Sequence, residues 1–342
     1  MKAVRVHAYD EAPVIDDVPE PTIEGPLDVI VEVGGAGLCR TDLHVIEGQW
    51  AEKTGVSLPY TLGHENAGWV REVGSAVTNV VPGDAVILHP VVSCGLCRAC
   101  RDGNDSHCAE PKFPGLDCDG GMAEFLRTSA RAVVKLDAGL RPADVAALAD
   151  AGVTAYHAVK KAQPLLYPGT YVAVVGTGGL GHIGVQCLAA MTPAQIIAVD
   201  RSEAALSLAK QLGAHHTVHA VTDPVGAVLD LTDGQGAHVV IDFVGEKGTE
   251  RQGLGMLRRA GSYYVVGYGG AVEVPTIDVI FNEINVVGNL VGTYNDLVEL
   301  MALSAQGQVR LRTQTYPLDA VTEAIADLDG GRLQGRGILL PR

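Results

Sequence analysis

Long apolar runs and positive charge are both scarce in this sequence of 342 residues. No stretch approaches about 18 uninterrupted apolar residues, so we expect no transmembrane helix. The first residues, MKAVRVHAYDEAP, break early into polar side chains, which predicts that no secretion signal is present. Lys and Arg number 25 against 40 acidic residues, and the net charge is −15. Such a chain repels phosphate backbones and anionic lipids, which disfavours nucleic-acid and membrane partners.

The composition is typical of a globular protein with large buried cores. Hydrophobic residues make up 47% of the chain and charged residues 19%, which excludes disorder and coiled coil as the dominant state. The length suits about two domains. Seven cysteines are present, and four of them fall within fifteen residues. That spacing indicates metal binding in a reducing compartment, which predicts a cytoplasmic protein, rather than a disulfide framework.

Two compositional regimes divide the chain near residue 150. Before it, Pro, Gly and Asp clusters separate short β-branched runs such as Val29–Val33 and Ala85–Leu88, which is typical of an irregular β-rich domain. After it, apolar runs alternate with helix-like segments, which predicts a parallel sheet covered on both faces. The predicted strands of that sheet are Tyr171–Gly176, Gln195–Asp200, His215–Ala220, His238–Gly245, Ser262–Gly267 and Ile284–Gly292. The tail ends in a strand-like Gly337–Leu340.

The first chemical motif is a glycine-rich loop. Gly176, Gly178 and Gly181 form G-x-G-x-x-G after a predicted strand and before a predicted helix, His182–Met191. Such glycines allow a tight turn, close approach to a pyrophosphate and close packing of helix on strand, while the helix N-terminus attracts phosphate. The intervening Gly179 and Leu180 complete the loop. The motif predicts a Rossmann nucleotide-binding domain.

Asp200 supports that interpretation and bears on the coenzyme. It ends the next predicted strand, 24 residues after Gly176, where a carboxylate binds the adenosine ribose. A carboxylate repels the 2′-phosphate of NADP, so NAD is favoured. Arg201 follows immediately and partly offsets this repulsion, which leaves dual use open.

Four cysteines predict a structural metal site. Cys94, Cys97, Cys100 and Cys108 are spaced C-x2-C-x2-C-x7-C. Four thiolates can close a tetrahedral shell around Zn²⁺ and leave no position open for chemistry. An iron–sulfur cluster is the main alternative, because similar spacings hold clusters.

A second potential metal site involves Cys39 and the His64-Glu65 pair. A lone cysteine or histidine is more often a packed core residue than a ligand. Here, however, the glycine-rich surroundings carry a resemblance: Gly63-His64-Glu65-Asn66-Ala67-Gly68, followed by Gly74 and Val77, is similar to the motif of zinc-containing alcohol dehydrogenases of the medium-chain dehydrogenase/reductase family. The resemblance covers essentially the whole chain. It implies that Cys39 and His64 are ligands of a catalytic zinc and that Glu65 lies close to the ion.

One position departs from the family pattern. The usual third ligand, a cysteine four residues before Thr154, is replaced by Asp150. Zinc accepts Asp oxygen, and one thiolate with one carboxylate still neutralises its charge. A subgroup of bacterial secondary-alcohol dehydrogenases resembles the chain in this aspartate. The alternative is that Asp150 caps a helix and Glu65 supplies the oxygen.

The resemblance also implies roles for polar residues near these ligands. Thr41 would accept the proton of a zinc-bound alcohol, and His44 would pass it to solvent. Asp42 would orient the His64 ring, since metal-bound imidazoles almost always have such a partner. The remaining implied contacts are Arg40 and Arg336 to the pyrophosphate, Thr154 to the nicotinamide, and a substrate pocket of Trp50, His89, Val92, Leu116, Leu290 and Val291.

The resulting hypothesis is an α/β protein with a doubly wound Rossmann sheet and a β-rich GroES-like domain. Residues 153–290 would bind NAD, and residues 1–152 with 291–342 would form the catalytic domain. The expected reaction is reversible hydride transfer between a secondary alcohol and NAD, with one catalytic and one structural zinc per chain. A polyol, diol or amino-alcohol dehydrogenase and a non-catalytic nucleotide-binding zinc protein are the alternatives. A homotetramer or a homodimer is expected.

Overall fold

The computed structural model describes residues 1–341, which form sixteen strands and twelve α-helices. The strands are β1 (Lys2–Val6), β2 (Val14–Asp17), β3 (Asp28–Leu38), β4 (Tyr60–Thr61), β5 (Glu65–Val73), β6 (Ala85–Leu88), β7 (Phe125–Ser129), β8 (Val133–Lys135), β9 (Tyr171–Val175), β10 (Gln195–Asp200), β11 (His216–His219), β12 (Ala237–Asp242), β13 (Leu257–Val265), β14 (Asn285–Gly288), β15 (Thr313–Pro317) and β16 (Arg336–Leu340).

The helices vary from one turn to about three turns. They are α1 (Arg40–Ile46), α2 (Ala51–Thr54), α3 (Arg98–Arg101), α4 (Pro142–Val145), α5 (Ala151–Ala162), α6 (Gly181–Met191), α7 (Glu203–Gln211), α8 (Pro224–Leu231), α9 (Thr249–Gly255), α10 (Thr276–Asn282), α11 (Tyr294–Ala305) and α12 (Val321–Asp329). No helix within residues 1–341 is both long and apolar enough to cross a membrane.

The chain folds into two compact units. The first contains Met1–Val153, Thr293–Ala305 and Leu311–Arg342, and the second contains Thr154–Gly292 and Gln306–Arg310. Our predicted division placed the whole C-terminal region from residue 291 in one domain. The short segment Gln306–Arg310 differs because the Gln186 side chain holds it to the second unit. Its Nε2 donates to the carbonyl of Arg310 at 3.0 Å, and its Oε1 accepts from the Arg310 N–H at 2.9 Å.

The first unit is β-rich, as the turn-rich sequence predicted. Its main sheet has the order β15-β16-β3-β5-β6-β8, with β7 also paired to β3, and β2-β1-β4 form a small second sheet. Alternate residues of β3, Val29, Val31 and Val33, are buried in one apolar cluster. Because strand side chains alternate between faces, this spacing gives β3 a face that packs into the core.

The second unit is the predicted parallel sheet with its helices. Six strands lie in the order β11-β10-β9-β12-β13-β14, and every neighbouring pair is parallel. The central β9 is apolar and almost entirely buried, as expected for a strand covered on both faces. This confirms the predicted doubly wound fold. The last predicted run, Ile284–Gly292, is a strand only over β14, where it pairs with β13, and Val291 lies outside the strand with a φ of +47°.

Candidate metal and coenzyme sites

Four side chains from distant parts of the sequence meet in the first unit. Cys39, His64, Glu65 and Asp150 each offer one ligand atom, and these atoms lie within 4.8 Å of one another. Cys39 follows the end of β3, His64 and Glu65 lie at the start of β5, and Asp150 directly precedes α5. All four residues were predicted to lie at or beside a catalytic metal, and the fold brings them together.

Glycines make room for this cluster. Gly37 pairs with Glu65 across β3 and β5, and a Cβ atom at Gly37 would lie 2.1 Å from Oε2 of Glu65. Any larger residue would therefore displace the carboxylate. Gly63 has a φ of +103°, and a Cβ atom there would lie 2.5 Å from the backbone nitrogen of Met122. Only glycine fits this turn easily, and the turn sets the position of His64.

Asp42 links two members of the cluster. Its Oδ2 accepts a hydrogen bond from the backbone N–H of Cys39 at 2.8 Å, and its Oδ1 lies 3.2 Å from Nδ1 of His64. Asp42 is fully buried. The predicted contact between Asp42 and the His64 ring is thus present in the structure, and it directs Nε2 of His64 toward the cluster.

The donor set fits a zinc ion. Nε2 of His64 is fully buried, has no well-formed hydrogen bond to any residue within 1–341, and lies 3.6 Å from Oδ2 of Asp150. Burial lowers the pKa of His64, but Asp42 and the other anionic neighbours hold that pKa well above its ordinary value. A buried polar atom without a partner costs about 1–3 kcal/mol, which a bound metal would offset. Thiolate, imidazole and carboxylate are the ligands that zinc prefers.

Glu65 is held by partners outside the predicted ligand set. Its Oε1 accepts from the backbone N–H of Ala151 at 2.9 Å, and its Oε2 contacts the guanidinium of Arg336. Burial raises the pKa of Glu65, and Arg336 opposes that rise. Burial lowers the pKa of Arg336, but the Glu65 carboxylate holds it above its ordinary value.

Arg336 is buried and paired with Glu65. Its side chain is 4% exposed, and the predicted contact of Arg336 with the coenzyme pyrophosphate stays a prediction. The pair spans 271 residues of sequence, and no local motif connects its members. Antiparallel pairing of β16 with β3, and of β3 with β5, brings the two residues together.

The two residues predicted for proton transfer and one predicted pyrophosphate contact lie on one helix. α1 begins directly after Cys39 and carries Arg40, Thr41 and His44. Arg40 is exposed, whereas Thr41 and His44 are half-buried. Residues three apart lie on the same side of an α-helix, so Thr41 and His44 share one face of α1.

The four-cysteine lobe forms the second metal cluster. Ligand atoms of Cys94, Cys97, Cys100 and Cys108 lie within 4.8 Å of one another. The sulfurs of Cys97 and Cys100 are 3.4 Å apart, and those of Cys94 and Cys100 are 4.0 Å apart. Four sulfurs bound to one zinc lie about 3.8 Å apart, so the spacing fits. Backbone N–H groups of Ala109 and Cys100 lower the pKa of Cys97 to about 6, which favours the thiolate that metals bind.

The glycine-rich loop of the second unit has the geometry of a phosphate cradle. Gly176 follows β9 with a φ of +80°, and a Cβ atom at Gly178 would meet no atom within 4 Å. A Cβ atom at Gly181, the first residue of α6, would lie 1.8 Å from the carbonyl oxygen of Gly176. The loop therefore needs glycine for its turn and its packing, and it leaves open space above Gly178. With Gly179 and Leu180, it forms a site that fits a dinucleotide pyrophosphate.

Asp200 lies beside this loop, at the end of β10. Its Oδ2 accepts from the backbone N–H of Thr177 at 2.6 Å, and its Oδ1 accepts from that of Ser202 at 2.9 Å. The neighbouring Arg201 is exposed. Thr154, predicted to contact the nicotinamide, is a buried residue of α5.

The six predicted pocket residues are distributed over both units. Trp50, His89, Val92 and Leu116 belong to the first unit, and Leu290 and Val291 belong to the second. His89 and Leu116 are buried, Trp50 and Val92 are half-buried, and Leu290 is exposed. These residues stay a prediction. A further aromatic residue that the sequence did not indicate is Phe113, whose ring centroid lies 6.3 Å from that of His64.

Comparisons with known proteins agree with this architecture. The family model described as the alcohol dehydrogenase GroES-like domain matches residues 25–138, and that described as zinc-binding dehydrogenase matches residues 179–306. An alcohol dehydrogenase of Geobacillus stearothermophilus is 35% identical over 99% of this chain and 98% of its own length. An NAD-dependent alcohol dehydrogenase of Sulfurisphaera tokodaii is 34% identical over the whole of both chains.

Solved structures show the same relationship. The crystal structure of the alcohol dehydrogenase from Aeropyrum pernix superposes with a TM-score of 0.97 at 50% sequence identity, and all of both chains is covered. The fold thus belongs to a class with a Rossmann domain and a GroES-like domain. Within that class, the chain belongs to the zinc-containing alcohol dehydrogenases of the medium-chain dehydrogenase/reductase family.

Proposed function

We propose that this protein is a zinc-containing, NAD-dependent dehydrogenase that interconverts secondary alcohols and ketones. The observation that carries the proposal is the meeting of Cys39, His64, Glu65 and Asp150 within 4.8 Å, in a chain that also has a dinucleotide loop. When bound, zinc supplies a Lewis acid that makes an alcohol hydroxyl more acidic, and NAD accepts the hydride.

Asp150 rather than Glu65 would be the third zinc ligand beside Cys39 and His64. Both oxygens of Glu65 are already engaged, one by the backbone of Ala151 and the other by Arg336. Asp150, by contrast, faces the imidazole nitrogen that would bind the ion. Three protein ligands leave one tetrahedral position open for substrate, as catalytic zinc sites require.

The proton of the alcohol would leave along α1. The Thr41 hydroxyl would accept it, and His44, on the same helix face, would pass it to solvent. Histidine is the side chain that most readily both accepts and releases a proton near neutral pH, which suits such a relay. Arg40 and Thr154 are proposed coenzyme contacts, together with Asp200, Arg201 and the glycine-rich loop.

A substrate of partly apolar character is supported by Phe113, which packs edge-on against His64. The test is a dehydrogenase assay on the full-length protein with 2-alkanols, 1-phenylethanol, diols, polyols, amino alcohols and primary alcohols, each with NAD and NADP. Fastest turnover of secondary alcohols with NAD supports the proposal. Faster turnover of polyols, diols or amino alcohols would instead support the alternative within the family.

Metal analysis of the same preparation separates an enzyme from a non-catalytic nucleotide-binding protein. About two zinc ions per chain, one for each cluster, are expected from the donor sets. A single zinc confined to the four-cysteine lobe, together with no turnover of any alcohol, would contradict the proposed function.

We infer that two copies of the chain pair through the exposed edge of the second unit. β14 ends the sheet order, and its residues Asn285–Gly288 carry no charge that would protect an open edge. The adjacent helix α10 leaves Ile280 69% and Phe281 73% exposed. A twofold axis would place the same edge of a second copy against this one. The homotetramer implied by the family resemblance would consist of two such dimers.

Light scattering after gel filtration tests this assembly. The variant Phe281→Glu should have a lower molar mass in solution than the wild-type oligomer, because the substitution places a charge in the apolar contact. Val221→Glu is the matched control, since Val221 is also exposed, at 62%, and lies elsewhere on the same unit. A wild-type mass of one chain, or an unchanged oligomer in Phe281→Glu, would contradict the pairing.

A cytoplasmic location is proposed because the cysteines are reduced. None of the seven cysteines, all of which lie within residues 1–341, forms a disulfide, and the four-cysteine cluster needs reduced sulfur to bind zinc. The small molecule that the protein binds as its partner would be an alcohol or a ketone. Cell fractionation that finds the protein in an oxidising compartment would contradict this location.

A further inference from the structure

Thr177 occupies the variable position between Gly176 and Gly178, and the functions proposed above do not use its side chain. The residue is 1% exposed. Its backbone N–H donates to Oδ2 of Asp200 at 2.6 Å, and its Oγ1 lies 3.2 Å from the same oxygen. Since a carboxylate only accepts, the hydroxyl is the donor in the second contact.

These contacts hold the Asp200 carboxylate in one orientation. Oδ2 receives two donors from Thr177, and Oδ1 receives one from the backbone of Ser202. A carboxylate has about four acceptor positions. Three are therefore used within the protein, and the half-buried side chain keeps capacity for a donor from a ligand.

That orientation matters for the choice of coenzyme. The ribose of NAD offers a 2′-hydroxyl that donates to a carboxylate, whereas the 2′-phosphate of NADP is repelled by it. Both effects depend on where the charge is held. A carboxylate that rotated freely would lose hydrogen-bond geometry with the hydroxyl and could turn away from the phosphate.

We propose that Thr177 is a positioning residue that sets the preference for NAD over NADP by fixing the Asp200 carboxylate through its side-chain hydroxyl. This inference rests on the proposed function, because it requires that the glycine-rich loop binds the coenzyme. It does not depend on which alcohol is oxidised.

Two variants isolate the hydroxyl. Thr177→Val keeps the volume and the backbone N–H bond but removes the hydroxyl, whereas Thr177→Ser keeps the hydroxyl. The dissociation constants of NADH and NADPH are measured by calorimetry on the zinc-loaded full-length protein. Thr177→Val should weaken NADH binding about tenfold, the effect of one hydrogen bond to a charged group, and change NADPH binding less than about twofold. Thr177→Ser should behave like wild type.

A control and a coupling test exclude a merely structural effect. Thr192→Val removes another threonine hydroxyl in the same unit, one that donates to the carbonyl of Leu188 at 2.9 Å, and should leave both dissociation constants unchanged. In an Asp200→Asn background, Thr177→Val should no longer alter the ratio of the two constants, because coupled residues are not additive. In the kinetics, KM for NAD should rise while kcat is preserved.

Each result bears on a separate statement. Equal losses of NADH and NADPH binding in Thr177→Val, or an unchanged ratio, would overturn the role of Thr177 and leave the proposed function intact. Wild-type protein that binds neither coenzyme would overturn the proposed function itself.

Discussion

Oδ1 of Asp42 lies 3.2 Å from Nδ1 of His64, while the other oxygen of the same carboxylate accepts the backbone N–H of Cys39. One buried side chain thus orients the imidazole and fixes the backbone that carries the thiol. Outer contacts of this kind set the direction of a ligand's lone pair and raise its basicity. Ligand orientation in the cluster therefore depends on a residue that is not itself a ligand.

Asp42→Asn should weaken zinc binding at this cluster about 10- to 100-fold, because the imidazole loses its anionic partner. The measurement is competition with a chelator of known affinity, in which the four-cysteine lobe serves as an internal reference. Asp17→Asn, an exposed aspartate at the end of β2, is the control. Equal zinc affinity in Asp42→Asn and wild type would contradict the orienting role.

Exchanging each carboxylate for its amide distinguishes the two candidate oxygen ligands. Asp150→Asn should lose the zinc of this cluster and reduce the total to about one ion per chain. Glu65→Gln should retain the metal but destabilise the fold by about 3 kcal/mol, because the buried Arg336 loses its counter-charge. Zinc content and urea unfolding are measured on both variants. If Glu65→Gln lost the zinc and Asp150→Asn kept it, Glu65 rather than Asp150 would be the third zinc ligand.

Thr41→Val should leave two zinc ions bound and lower kcat by a factor of about 10² to 10⁴, the contribution of a positioned proton acceptor. Thr41→Ser keeps the hydroxyl and should restore most of the rate. Steady-state kinetics with a saturating secondary alcohol, together with metal analysis, provide the comparison. An unaffected rate in Thr41→Val would remove Thr41 from the proton route.

Stability in acid should depend on Asp327. The Tyr316 hydroxyl, 2.7 Å away, and Arg332 hold the pKa of this carboxyl below its ordinary value. A lowered folded-state pKa stabilises the protein above the unfolded-state value of about 3.9, and the contribution is lost as the pH falls through the folded pKa. Wild type should therefore melt at a higher temperature than Asp327→Asn at pH 6.

The control for this prediction is to repeat the same comparison of melting temperatures at a series of pH values. The difference in Tm between wild type and Asp327→Asn should shrink steadily as the pH is lowered from about 5 toward 2. A difference that is constant across that range would show that Asp327 acts through packing rather than through its charge.

Local patterns predicted much of the molecule. The glycine spacing of Gly176, Gly178 and Gly181 predicted a strand, loop and helix, and the structure confirms all three. The spacing of Cys94 to Cys108 predicted a cluster because four thiols within fifteen residues can reach one ion without help from distant strands. Continuous apolar runs predicted the parallel sheet. However, β13 begins at Leu257 rather than at the predicted Ser262, and β14 ends at Gly288 rather than at Gly292, because pairing with the neighbouring strand sets the limits of a strand.

Contacts between distant residues could not be predicted in this way. The partnership of Glu65 with Arg336 has no motif, and the hydroxyl of Thr177 on Asp200 follows from a loop conformation rather than from residue type. In both cases the charged or donating residue can be identified in the sequence, but the residue that it contacts cannot.

The amino-acid sequence alone determined the kinds of chemistry available to this chain: sulfur, imidazole and carboxylate for metal, and glycine for phosphate. Tertiary structure decided which of these groups share a site and which restrain one another. The physical reason is the distance along the sequence over which each interaction acts. Turns and helix starts depend on neighbouring residues. A buried ion pair, by contrast, forms only when the pairing of distant strands brings two opposite charges together out of water.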